Sequence, residues 1–110
     1  MVKLPKELKI GGHVVKVLYP YNFKERVDLS GQYDGQYDEI RIAGCDMGGH
    51  ARLESSVWVT LIHEILHAID YTTGHRVFTD NEQAIEGISE MIYQVLVDHG
   101  CLWVTDKEAL

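Results

Sequence analysis

The sequence predicts an α+β fold, a small antiparallel or mixed N-terminal sheet packed on two helices, on the strength of three observations. Residues 7–43 hold short runs of strand character joined by glycine-containing turns. Residues 52–72 and 80–98 carry apolar side chains at helical spacing. The chain has 110 residues, of which 45% are hydrophobic, enough for one core. Neither an internal repeat nor a low-complexity linker divides it, so residues 1–110 are expected to form a single domain.

The first strands are expected at Glu7 to Ile10 and His13 to Tyr19, because the intervening Gly11-Gly12 tolerates the positive φ angles of a tight hairpin turn. Pro20 should end the second strand, and residues 21–29 have too little periodicity to be assigned. A second hairpin is expected from Gln32-Tyr33 through an Asp34-Gly35 turn into Gln36 to Ile42. There Ile40 and Ile42 alternate with Glu39 and Arg41, as in a half-exposed edge strand. Gly44, Gly48 and Gly49 make the following segment a loop.

The helix over about 52–72 should turn Trp58, Leu61, Ile62, Ile65, Leu66 and Ile69 toward the sheet and stop at Gly74. The helix over about 80–98 opens on Thr79-Asp80-Asn81-Glu82, which fits a capping box between the threonine and the glutamate. Its apolar row is Ile85, Ile88, Ile92 and Val95, and His99-Gly100 closes it. Trp103, in the short tail, is expected to fold back onto the core.

A net charge of −7, from 17 acidic and 10 basic residues, argues against a nucleic-acid partner, whose phosphates require clustered lysine and arginine. Cys45 and Cys101 stand in no metal-knuckle or redox spacing and make no disulfide framework. No signal-peptide core and no membrane-length apolar run is present, so a soluble, cytoplasmic protein without a membrane partner is expected.

The chemistry concentrates in His63-Glu64-Ile65-Leu66-His67. On a helix the two histidines stand one turn apart on one face, so two imidazole nitrogens reach one metal ion. Glu64 points about 100° away, where it serves the water that the metal polarises and not the metal itself. Such a pattern also arises by chance, and helical histidines are often surface or core residues. Here both fall outside the apolar stripe of their helix, which favours the metal site.

A catalytic zinc needs a third protein ligand and an open position. His75 follows His67 by eight residues, not the six of the metzincin pattern. Glu82 is engaged by the capping box. Glu86 and Glu90 share one helical row, as a ligand and an outer carboxylate would, with a solvated acidic face as the plain alternative. Gly87 costs about 0.8–1.0 kcal/mol inside a helix relative to alanine, which a close helix crossing beside Glu86 would justify. Asp70, three residues past His67, competes with Glu90 for the outer nitrogen of a histidine.

The pair His63-Glu64-Ile65-Leu66-His67 and Glu86-Gly87-Ile88-Ser89-Glu90 resembles the gluzincin metallopeptidases, whose thermolysin branch reads E-G-I-S-D in its glutamate helix. With the small size and the run Tyr93 to Asp98, the chain also resembles short phage and prophage HExxH proteins of minigluzincin style and, more loosely, ImmA/IrrE-type peptidases. The resemblance spans roughly residues 32–100. It implies a zincin-like fold, Zn2+ held by His63, His67 and Glu86, Glu64 as general base and an outer-shell Glu90. A sheet edge near Gln36 to Ala43 would pair with an extended peptide.

Two departures qualify what is implied: Glu90 replaces the family's aspartate, and the domain that in thermolysin-like enzymes supplies the oxyanion donor has almost no counterpart here. Tyr71, His75 and Tyr93, near the ends or faces of the motif helices, are the candidate donors. The expected function is a zinc-dependent endopeptidase acting on a peptide or protein substrate. The alternative is a non-catalytic, zinc-stabilised interaction or regulatory module of phage type. Glu64 separates them, since a structural site is usually closed by a fourth side chain and needs no carboxylate beside a water. Substrate identity and oligomeric state are not legible.

Overall fold

A computed structural model describes residues 2–24 and 26–102, so the expectation for Trp103 lies outside the described residues. The chain is α+β, with four strands in a mixed sheet followed by two helices. Strand β1 (Glu7–Ile10) and strand β2 (His13–Tyr21) form the expected antiparallel hairpin, with Ile10 opposite His13. Gly11 and Gly12 have φ of 56° and 84°, the two positive angles that a type I′ turn requires. Pro20 does not end β2. The strand runs through it to Tyr21, with a register irregularity against its neighbour between Leu18 and Tyr21, where a missing N–H is tolerated.

Strand β3 (Gly31–Asp34) and strand β4 (Glu39–Ala43) form the second hairpin. The turn takes residues 35–38, because the Asp34 carboxylate accepts from the Gln36 amide and draws that residue out of the ladder. Sheet order is β1-β2-β4-β3, with β2 and β4 parallel. The edge expected near Gln36 to Ala43 is therefore displaced: β4 is internal, with Ile40 and Ile42 fully buried, and β3 is the edge.

Helix α1 (Glu54–Thr73) crosses the sheet, packing Val57, Trp58, Leu61 and Ile62 against Val15, Val17, Ile40 and Ile42. At Gly74, φ is 75° and the amides of Gly74 and His75 return to carbonyls of the last turn, the left-handed cap that glycine permits. Helix α2 (Glu82–Asp98) begins later than the capping box implies, since Asn81 is the N-cap and its side chain accepts from the Ala84 amide. Its inward face differs from the expected row. Ile85, Ser89, Tyr93 and Val97 are buried, while Ile88 and Val95 are exposed. That rotation brings Glu82, Glu86 and Glu90 to the rim of a cleft along α1. Among the described residues no helix is long and apolar enough to cross a membrane.

Candidate metal centre

The cleft, of about 830 Å3, is bordered by β3, α1 and the acidic side of α2. Along its wall, His63 and His67 project from one face of α1, as their spacing dictates. The carboxylate of Glu82 bridges them, Oε2 lying 3.0 Å from His63 Nε2 and Oε1 2.8 Å from His67 Nε2. His63, His67 and Glu82 thus form a group whose ligand atoms all lie within 4.8 Å of one another.

The structure departs from the expected ligand set at this carboxylate. Glu86 borders the cleft one turn further along α2, where its charge acts on His63 but is the smallest of the influences there. The cause lies in the segment between the helices. Asp70, buried near the end of α1, accepts from the backbone amides of Phe78 and Thr79 at 2.8 and 2.6 Å, which pins residues 78 and 79 beside it. Glu82, three residues after Thr79 and the first residue of α2, is thereby delivered to the two imidazoles.

The same connection supplies the outer contact of a histidine. Nδ1 of His67 lies 3.2 Å from the hydroxyl of Thr79, and the Thr79 backbone amide in turn donates to Asp70. Asp70 therefore reaches His67 through Thr79 and not directly, and Glu90 borders the cleft without taking that place. Although burial opposes it, the Thr79 and Phe78 contacts hold the Asp70 carboxyl below its ordinary value. With Nδ1 protonated, the Thr79 hydroxyl accepts from it and Nε2 of His67 faces the site.

Glu64 is 6% exposed beneath the sheet edge. Burial, then the nearby charge of Glu82, pushes its pKa up to about 8, against a lowering by the Tyr33 backbone amide. Gly31 on β3 makes this approach possible. A Cβ there would stand 2.5 Å from Thr60 Cγ2 and 3.1 Å from Glu64 Oε2. Arg52 fixes the same corner by donating to the carbonyls of Ser30, Ala43 and Ser56 and to the Thr60 hydroxyl. For His63, burial is the largest influence and lowers its pKa, favouring the neutral imidazole that a metal requires.

Of the three expected oxyanion donors, Tyr71 and His75 border the cleft. Tyr93 does not: it belongs to the i, i+4 row Ile85, Ser89, Tyr93 and Val97 and is buried in the core. Gly87 has nothing within 4 Å of its Cβ position, so no helix crossing explains it. Thr79 escaped the sequence because the capping box accounted for it, and its contact with a histidine twelve residues earlier depends on the fold of the connection.

Comparisons with protein-family models, with curated proteins and with solved structures return no match. The donor set is close enough to bind a metal ion: the Glu82 oxygens stand 3.0 and 2.8 Å from the two imidazole nitrogens, and all three ligand atoms lie within 4.8 Å of one another. Two imidazoles and one carboxylate leave a fourth position, and the Glu82 side chain, 56% exposed, stands at an open mouth.

Proposed function

We propose that the protein is a zinc-dependent endopeptidase of zincin-like arrangement, with His63, His67 and Glu82 as the residues that hold the metal. The observation that carries this is Glu64: a buried carboxyl immediately beside the three-donor group, in an open cleft, under the outer strand of the sheet. A zinc-fastened structural module has no use for a buried carboxyl at that point, where its ionised form is disfavoured.

When bound, zinc would supply Lewis-acid charge for polarising a water and the scissile carbonyl. The chain's own residues do the rest. Glu64 takes a proton from the attacking water at its carboxylate and gives it to the departing amine, a task for which a buried carboxyl beside the three donors is placed. Thr79, backed by Asp70, holds the His67 ring in one orientation. Strand β3 offers the outer edge of the sheet above Glu64 for the backbone of an extended peptide, and Gly31 keeps that edge close.

The test is metal analysis of the purified protein together with a peptide-library digest of the zinc-loaded wild type and Glu64→Gln. Cleavage by the wild type alone supports the peptidase. No cleavage, with zinc closed by a fourth side chain, makes the protein a zinc-stabilised binding module.

A further inference from the structure

Tyr71 stands one helical turn after His67 on α1, about 6 Å along the axis, and borders the same cleft while remaining 62% exposed. Its ring is nevertheless fixed in place. Tyr33 of β3 meets it edge to face, with centroids 5.7 Å apart and planes at 67°. On another side it lies across the β3–β4 turn at Gly35, where a Cβ would stand 2.5 Å from Cε2, 2.6 Å from Cζ and 2.8 Å from Cδ2.

The glycine has no backbone reason to be there. Its φ lies outside the left-handed region, and the positive angle of this turn falls on Asp38. Glycine costs chain entropy that another residue would not, and the space it leaves is taken by the Tyr71 ring. Its missing side chain thus lets an aromatic ring lie against β3 with its other surface bare toward the cleft. A ring held on one side and exposed on the other offers apolar contact area with little side-chain freedom left to lose.

We propose that the rings of Tyr71 and Tyr33, set by Gly35, form a binding subsite for an aromatic or bulky apolar side chain of the peptide substrate. Tyr71 borders the same cleft as His63, Glu64 and His67, so its ring serves a side chain close to the scissile bond. This rests on the peptidase reading only in taking the ligand to be a peptide in the cleft.

Two readouts keep the subsite and the activity separate. The first is binding, by calorimetry, of otherwise identical peptides carrying phenylalanine or alanine at each position, to Glu64→Gln alone and with Tyr71→Ala, Tyr71→Phe or Gly35→Ala added. The second is kcat/KM for the same peptides with the four proteins that retain Glu64. At one position phenylalanine should bind roughly tenfold more tightly than alanine, near the upper value of an aromatic pair. Tyr71→Phe should keep that preference, while Tyr71→Ala and Gly35→Ala, the latter by displacing the ring, should remove it with circular dichroism unchanged. Binding preference without cleavage of any peptide by the Glu64 protein would sustain the subsite and remove the peptidase. Cleavage or binding with no phenylalanine preference, or a preference that survives both Tyr71→Ala and Gly35→Ala, would overturn the subsite. A Tyr71→Phe protein that loses the binding preference as fully as Tyr71→Ala would assign the contact to the hydroxyl and overturn the ring subsite too.

Discussion

The hydroxyl of Thr79 lies 3.2 Å from Nδ1 of His67, and the amide of the same residue, with that of Phe78, donates to the buried carboxylate of Asp70. One acidic side chain near the end of α1 therefore shapes the connection to α2, orients a histidine and sets where Glu82 arrives. Removing the hydroxyl should be felt at the metal. Thr79→Val is expected to weaken zinc binding about 10–100-fold, the usual cost of losing an outer partner, as measured by chelator competition. Asp70→Asn should do the same and lower the melting temperature as well, whereas Glu90→Ala should match the wild type.

Glu82 and Glu86 make different predictions although one turn of helix separates them. Glu82→Ala should weaken zinc binding by more than the roughly 100-fold limit for an outer partner, and Glu86→Ala by less than about tenfold. Zinc should also raise the melting temperature of the wild type, because it binds the folded state alone. The reverse ranking in a zinc titration would move the third ligand to Glu86.

Glu64→Gln should retain zinc with wild-type stoichiometry and lose all peptide hydrolysis. The amide fills the buried site but cannot take up a proton from water. Loss of zinc together with activity would place Glu64 among the ligands.

The buried Glu64 also predicts a pH dependence for the metal-free protein. Its pKa rises from 4.5 to about 8 on folding, so between these values the native state binds a proton that the unfolded chain has released. This contribution is fully present below the unfolded value and is lost as pH rises through the folded one. Thermal unfolding in chelator should show the wild type losing stability relative to Glu64→Gln between about pH 5 and about pH 9. Parallel curves for the two proteins would show that Glu64 is not held in the low-dielectric site that burial imposes.

The α+β order, the Gly11-Gly12 hairpin, the Gly74 cap and the pairing of His63 with His67 on one helical face were all legible in the sequence. Each follows from interactions local to a few residues: turn angles, helical spacing and the absence of a Cβ. What lies between elements was not. The parallel pairing of β2 with β4, which makes β3 the edge above Glu64, is a long-range choice that alternation in a single strand does not encode. The inward face of α2 was misread because Ile88 and Val95 are apolar but exposed, while Ser89 is polar but buried, so composition pointed to the wrong rotation. Above all, Glu82 meets the histidines because Asp70 gathers two amides from the connecting segment, and a contact made eight and nine residues away by a folded loop leaves no periodic trace in the sequence. Local chemistry selected the kind of donor, and tertiary packing decided which carboxylate stands between the two imidazoles.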